Sequence, residues 1–223
     1  MSWIQNGVPA DLIFQSLAGS QQGNEAFGIT VTILEEAKEF MLQRCAASDQ
    51  SVMYFETGQG SELSSNSHND TDQVTMEARC YGLARHYRPF IVNTVVEFIG
   101  PEYLYDSKEV IRAGLQDHFM GKLTGIPMGC DVCYTNHIKT DQSDIENLAV
   151  LLSVAGCTYF MGVPHGDDVM LNYQCTGYHD IIILRELLSL RTIKEFELWL
   201  ENLGIMEAGR LTARVGDASI FLK

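Results

Sequence analysis

Two acidic residues of this 223-residue chain each stand at the end of a short apolar run. Glu56 ends the run that begins at Val52, and Asp131 follows the apolar stretch that begins at Ile126. Parallel α/β proteins place their chemistry where buried strands end, because the loops that follow those strands open a cleft there. The pattern therefore predicts that the two carboxylates are catalytic and that the protein is an enzyme.

Alternating strand and helix patterns must position these carboxylates. Apolar runs at residues 10–17, 52–56, 91–99, 126–134 and 158–163 predict strands. Helical spacing of apolar residues recurs at 26–47, 72–87, 107–123, 141–155, 177–188 and 193–203. Asp72, Ser107 and Asp141 are the predicted N-caps of three of these helices. The alternation indicates a parallel sheet, since each helix returns the chain to the same strand direction.

Polar or functional groups occur at the end of every predicted strand: Gln15 and Ser16, Glu56, Glu97 and Phe98, Asp131, and Met161. An open sheet usually has its site at one switch point, so a row of active strand ends indicates a curved wall. A complete eight-stranded α/β barrel, or TIM barrel, needs about 250 residues. We therefore expect an α/β fold of the (β/α)8 TIM-barrel family. Residues 1–206 would form about the last five β/α units of the barrel, and residues 207–223 a C-terminal tail.

The charge and composition of the chain exclude several classes of partner. Fifteen basic against 29 acidic residues give a net charge of −14, which repels nucleic acid and anionic membrane surfaces. We find no signal peptide and no apolar stretch of membrane-spanning length. Six cysteines are scattered through the chain, some of them in apolar segments, which is typical of reduced thiols. These features predict a soluble cytoplasmic protein.

Two further clusters could suggest other chemistry, but the ordinary interpretation of each is stronger. Cys130 and Cys133, with His137 nearby, resemble half of a zinc site, yet no second pair accompanies them. Residues on one strand that are three apart also point to opposite faces. The His-Gly-Asp-Asp segment at 165–168 is typical of a loop at a barrel rim. We predict no metal site.

Long segments of the chain resemble the large subunit of ethanolamine ammonia-lyase. The matching segments are VPADLIFQS at 8–16, MYFETGQGS at 53–61, FIGPEYLYD at 98–106, IRAGL at 111–115, MGCDVCYTNH at 128–137 and DDVMLNYQ at 167–174. The resemblance covers the C-terminal half of that subunit. It implies an α/β barrel that binds adenosylcobalamin and a small partner subunit, and that deaminates ethanolamine to acetaldehyde and ammonia by radical chemistry. It further implies an oligomer of large subunits in the cytoplasm or inside a bacterial microcompartment.

The same resemblance implies a role for particular residues. Glu56 and Asp131 match the family's acidic residues that hold the amino alcohol. Gln15, Ser64 and Met170 match positions that line the corrin, with Ser16, Phe98 and Met161 nearby. Charge-assisted hydrogen bonds to carboxylates suit a small substrate that carries an ammonium and a hydroxyl group.

Two departures from the family leave alternatives open. Glu97 stands where the family usually has glycine, and its carboxylate would either face outward or enter the corrin pocket. The family's first three barrel strands, which carry further substrate groups, have no counterpart here. We therefore expect the chain to be inactive unless another segment supplies them. The alternative function is a non-catalytic module that binds a corrinoid or the small subunit. An unrelated hydrolase or redox protein would need a nucleophile elbow, a phosphate loop or a paired metal motif, and none is found.

Overall fold

A four-stranded parallel sheet forms the centre of the fold in the computed structural model, which describes residues 2–7, 10–44, 51–59, 66–97, 104–135, 138–168 and 173–222. Its strands, in spatial and chain order, are β1 (Ile13–Ser16), β2 (Met53–Thr57), β3 (Ile91–Val95) and β4 (Met128–Asp131). Every neighbouring pair is parallel. The predicted α/β class and strand direction are confirmed, and the sheet is compatible with part of a barrel.

One short helix precedes the first strand, and the other helices connect the strands or follow the last of them. Their bounds are α1 (Ser2–Gln5), α2 (Gln21–Ala26), α3 (Val31–Leu42), α4 (Gln73–Tyr87), α5 (Ser107–Thr124), α6 (Gln142–Val154) and α7 (Tyr178–Leu188). A small antiparallel sheet is formed by β5 (Tyr134–Thr135), β6 (Asp167–Asp168) and β7 (Tyr173–Gln174), in the order β5-β7-β6.

One face of the parallel sheet packs against helices and forms the main hydrophobic core. Met53, Phe55 and Val92 point to this side, where they meet Leu34 and Tyr87 from α3 and α4. The rings of Phe55 and Tyr87 lie edge to face, with centroids 5.9 Å apart. Because side chains alternate along a strand, the residues between these core positions point to the opposite face. We call that opposite side the inner face.

The caps of the helices largely match the sequence patterns. Asp72 and Asp141 accept backbone N–H bonds in the first turns of α4 and α6, as predicted. The prediction for Ser107 is wrong, because Asp106 is the N-cap of α5 and accepts from the N–H groups of Lys108 and Glu109. A carboxylate that reaches two N–H groups is the stronger cap at the positive end of a helix.

Two predicted elements differ from the observed ones. The helix expected at 26–47 begins only at Val31, because Gly28 has a positive φ of 71° and Thr30 caps the helix that follows. The strand expected at 158–163 is reduced to two isolated parallel bridges. Val163 bridges to Gly177, and Phe160 bridges to Cys130 of β4. That bridge still continues the sheet, since the Cys130 N–H donates to Tyr159 O at 3.0 Å and the Met161 N–H donates to Cys130 O at 3.0 Å.

The chain divides into two compact units, Met1–Ile181 and Ile182–Lys223. The second unit contains α8 (Lys194–Asn202) and a hairpin of β8 (Met206–Glu207) and β9 (Arg210–Leu211). A 3-10 turn follows at Ala218–Phe221. The boundary at 206/207 stays a prediction. No helix in the described ranges is long and apolar enough to cross a membrane.

Candidate functional site

The inner face gathers polar side chains from neighbouring strands into one row. Ser16 of β1 lies beside Glu56 of β2, Glu56 beside Asn93 of β3, and Asn93 beside Gly129 of β4. Partners in a parallel sheet point to the same face, so Ser16, Glu56 and Asn93 are immediate neighbours. Asp131 stands two residues beyond Gly129 and therefore also points inward. The structure thus brings both predicted catalytic carboxylates to the same side of the sheet.

Glu56 is half-buried at the centre of this row. Burial raises the pKa of its carboxyl, while hydrogen bonding by Asn93 and Tyr54 partly offsets that rise. Asn93 is 0% exposed, and its amide approaches the carboxylate without reaching the geometry of a full hydrogen bond. Two neutral donors therefore stabilise the charged form of Glu56 in a place that disfavours charge.

Tyr54 connects the two carboxylates electrostatically. Burial raises the pKa of its phenol first, followed by Tyr159 and by the negative charges of Glu56 and Asp131. The phenol therefore stays protonated and neutral. Tyr54 and Glu56 are two residues apart on β2 and Asp131 points to the same face, so we call these three residues the inner-face cluster.

Aromatic rings form the floor of the cluster. The ring of Tyr54 lies 5.6 Å from that of Phe14 and 6.5 Å from that of Tyr159, measured between centroids. The Tyr159 ring covers Gly129, where a Cβ atom would come within 2.2 Å of the Tyr159 Cδ1 atom. Glycine at position 129 therefore allows Tyr159 to pack onto the inner face between the strands of Glu56 and Asp131.

Asp131 lies deeper than Glu56 and among thiols. Its side chain is 1% exposed, and Cys175 Sγ donates to its Oδ2 atom at 3.8 Å. Burial raises the pKa of the nearby Cys133 thiol, and the neighbouring Cys175 and Asp131 raise it further. The Cys133 thiol is consequently protonated and unreactive, while the Cys175 thiol acts as a weak donor to the Asp131 carboxylate.

The structure places some of the predicted corrin-lining residues and not others. Ser16 and Met161 are half-buried and point to the inner face, Ser16 beside Glu56 and Met161 beside Asp131. Gln15 pairs with Phe55 and so lies on the helix-facing side, where its amide donates to the Ser16 carbonyl at 3.0 Å. A corrin role for Gln15 stays a prediction. Ser64, Phe98 and Met170 lie outside the described residues.

Glu97, whose orientation the sequence left open, does not face solvent. It is 0% exposed, and its Oε2 atom accepts from the Thr135 N–H at 2.8 Å. The Cys133 thiol donates to its backbone carbonyl at 3.2 Å. Glu97 therefore ties the end of β3 to β5.

Sequence reasoning missed Asn93, Tyr54 and Tyr159. Asn93 carried a usable signal, because a polar residue in the middle of the apolar run 91–95 must have a partner if it is buried. Tyr54 is two residues before Glu56 and therefore shares its face by strand period alone. Tyr159 belongs to a segment that forms only a bridge, and its position depends on the absent side chain of Gly129.

The arrangement can bind a small cation that also carries a hydroxyl group, because it combines two carboxylates with neutral donors. Over the described residues, no group of three or more His, Cys, Asp or Glu side chains could hold a metal ion. Cys130 and Cys133 are both buried as free thiols.

Comparison with known proteins identifies the family of the chain. A family model described as ethanolamine ammonia lyase large subunit (EutB) matches residues 1–214. The ethanolamine ammonia-lyase large subunit of Escherichia coli (strain K12) is 59% identical over 218 residues, which is 98% of this chain and 48% of that protein. The Salmonella typhimurium protein of the same name is 58% identical over the same shares. The chain thus spans about half the length of these relatives, and it belongs to the ethanolamine ammonia-lyase large-subunit family.

Proposed function

We propose that this chain is the C-terminal part of an ethanolamine ammonia-lyase large subunit and forms about the last five units of its TIM barrel. In the assembled enzyme it would contribute to the deamination of ethanolamine to acetaldehyde and ammonia. The observation that carries the proposal is that the strand register turns Glu56 of β2 and Asp131 of β4 to the same inner face of the sheet.

The substrate chemistry fits this cluster. Ethanolamine is a small ammonium ion with a hydroxyl group, and Glu56 supplies an anion in a half-buried setting where Coulomb attraction is stronger than in water. Asp131 supplies a second acceptor at greater depth. Tyr54 and Asn93 lower the pKa of the Glu56 carboxyl and so favour the anion that the ammonium group would meet. The aromatic floor offers apolar surface that the carbon chain of the substrate would contact.

The expected cofactor is adenosylcobalamin, which supplies the radical chemistry when it is bound. The inner rim suits a corrin because Ser16 and Met161 offer a hydroxyl and a thioether, neither of which carries charge. Ser64, Phe98, Met170 and Gln15 complete the predicted set. These residues would hold and orient the cofactor, and the inner-face carboxylates would hold the substrate.

The partner and location belong to the same proposal. A small subunit and further copies of the large subunit would surround the barrel, in the cytoplasm or inside a bacterial microcompartment. The name of the relatives as large subunits supports a smaller partner.

The test combines the purified chain with a separately produced first half of the barrel and the small subunit. Adenosylcobalamin binding is followed by absorbance titration, and acetaldehyde formation is followed with ethanolamine as substrate. We expect turnover only in the complete mixture and its loss in Glu56→Gln and Asp131→Asn. Glu36→Gln, an exposed residue of α3, is the matched control and should keep full turnover. Corrinoid binding without turnover in any mixture would refute catalysis and support the non-catalytic binding module.

A further inference from the structure

A second pair of carboxylates lies behind the sheet, on the helix-facing side. Glu77 of α4 is 3% exposed and Asp117 of α5 is 1% exposed. Neither belongs to the inner-face cluster, and the proposed reaction does not use them. Ionisable residues are rarely buried this completely unless they are paired or hydrogen-bonded.

Glu77 holds the chain directly after Glu56. Its Oε1 atom is hydrogen-bonded to the Thr57 hydroxyl, and its Oε2 atom accepts from the Gly58 N–H at 2.9 Å. Thr57 is the last residue of β2 and points away from the inner face. The carboxylate on α4 therefore fixes the two residues that follow Glu56.

Asp117 contacts Thr94 of the neighbouring strand β3 and Gln59, which follows Gly58 after β2. Its Oδ2 atom accepts from the Thr94 hydroxyl at 2.6 Å, and its Oδ1 atom accepts from Gln59 Nε2 at 2.8 Å. Burial raises the pKa of the Tyr81 phenol, and the nearby charges of Asp117 and Glu77 raise it further. The pair thus connects α4 and α5 to the ends of β2 and β3.

No cation neutralises the pair within the described ranges. The ion pairs found there join His86 to Glu35, His179 to Asp180 and Arg191 to Glu197. The titratable groups that face the pair are Tyr81 and Cys80 from α4 and Cys130 from β4, which are neutral because burial raises their pKa values. The pair accepts its hydrogen bonds from the hydroxyls of Thr57 and Thr94, the side-chain amide of Gln59 and the backbone N–H of Gly58.

Two buried negative charges without a counter-ion cannot both persist at neutral pH. Burial raises the pKa of Glu77, and the charge of Asp117 raises it further. Burial also raises the pKa of Asp117, but the hydrogen bonds from Thr94 and Gln59 oppose that rise. Glu77 is therefore the partner that carries the proton, and Asp117 the partner that carries the charge.

We propose that Glu77 and Asp117 are a positioning pair which shares one proton and fixes the ends of β2 and β3, and thereby the Glu56 carboxylate. The claim that the pair positions Glu56 for the substrate rests on the proposed function, whereas the claim that the pair shares one proton does not. A protonated Glu77 can donate from Oε1 to the Thr57 oxygen while Oε2 still accepts from Gly58. A glutamine can make the same two bonds, which gives the proposal a conservative variant.

The shared proton is tested on the complete chain by infrared spectroscopy at neutral pH. We expect a carboxylic-acid C=O band from a buried group, shifted by deuterium exchange, that is absent in Glu77→Gln and present in Glu36→Gln. Absence of the band from the unmodified chain, or its survival in Glu77→Gln, would overturn the proposal. This measurement needs neither substrate nor cofactor.

The positioning role is tested in the assembled enzyme. Glu77→Ala should raise the KM for ethanolamine by about tenfold or more, and Glu77→Gln should restore it to within about threefold of the unmodified value. Thr57→Val, which removes only the hydroxyl that contacts Glu77, covers the case in which Glu77→Ala does not fold, and it should raise KM in the same direction. A change in the amount of active enzyme with KM constant in Thr57→Val would mean a merely structural role and refute the positioning claim. If Glu56→Gln also leaves turnover unchanged, the proposed function is wrong. The infrared measurement still shows independently whether Glu77 and Asp117 share a proton.

Discussion

Gly58 is the point at which the strand of Glu56 comes closest to the next strand. A Cβ atom at this position would lie 1.8 Å from the Val95 carbonyl oxygen and 2.8 Å from its carbonyl carbon. Both atoms belong to the backbone of β3 and cannot rotate away. Replacement by alanine therefore has to push the ends of β2 and β3 apart.

The cost of this substitution can be estimated from the contacts that it breaks. Overpacking in a close-packed interior costs about 1–3 kcal/mol. Displacing the Gly58 N–H from Glu77 Oε2, now 2.9 Å away, removes a buried hydrogen bond, and such a loss costs about 1–3 kcal/mol. Together these two costs predict that Gly58→Ala destabilises the chain by about 2–6 kcal/mol, a large part of the stability of an ordinary domain.

Urea unfolding of the complete chain, followed by circular dichroism, measures the effect. Gly82→Ala is the matched control, because Gly82 is an exposed glycine of α4 with open space where its Cβ would lie. The control should gain about 0.5–1 kcal/mol from its higher helix propensity. The reasoning is refuted if Gly58→Ala loses less than about 1 kcal/mol, below the usual cost of overpacking.

Three further predictions concern the cap of α5, the thiols and the pH dependence of stability. Asp106→Ala should destabilise the chain by about 1 kcal/mol in urea unfolding, because two backbone N–H groups lose their acceptor. Ser107→Ala is its control and should cost much less. Alkylation at neutral pH, read peptide by peptide by mass spectrometry, should be slow at Cys80, Cys130, Cys133, Cys157 and Cys175 until urea is added, because all five are buried free thiols; rapid labelling of the folded chain would contradict this. Burial raises the folded pKa of Glu77 above the 4.5 of an exposed glutamate, so the folded state binds more protons than the unfolded state above that pH. Stability should therefore be highest below about pH 4.5 for this group and fall as the pH rises through the raised pKa, whereas Glu77→Gln should lack this decline.

The positions of Glu56 and Asp131 could be predicted because they depend on local patterns. Each follows an apolar run, and the helix after each run carries a capping aspartate, Asp72 or Asp141. Where two capping residues compete, as at Asp106 and Ser107, the sequence alone does not decide between them. The strand predicted at 158–163 does not form, because Phe160 makes only one bridge to the parallel sheet. Its apolar run nevertheless resembles those of the four strands that do form.

The Glu77 and Asp117 pair could not be predicted for a different reason. Both residues lie in helical patterns, in which an acidic residue is ordinarily solvated. What buries them is the crossing of α4 and α5 behind the sheet, and what satisfies them is Thr57 and Thr94, which are distant in sequence. The spacing of apolar residues along a single helix or strand does not predict such a contact.

The alternation of β2 explains how one short strand serves two purposes. Glu56 points to the inner face, where its half-buried carboxylate is available to a ligand. Thr57 points to the helix-facing side, where Glu77 holds it. Because the two faces are separated by a single peptide, a shift of α4 that moves Thr57 must also move Glu56, whereas a polar substitution confined to the inner face leaves the buried pair intact. Gly58 has two roles. Its N–H donates to Glu77, and the absence of a side chain lets the end of β2 approach β3. The geometry of the inner carboxylate therefore depends on buried groups that no ligand touches.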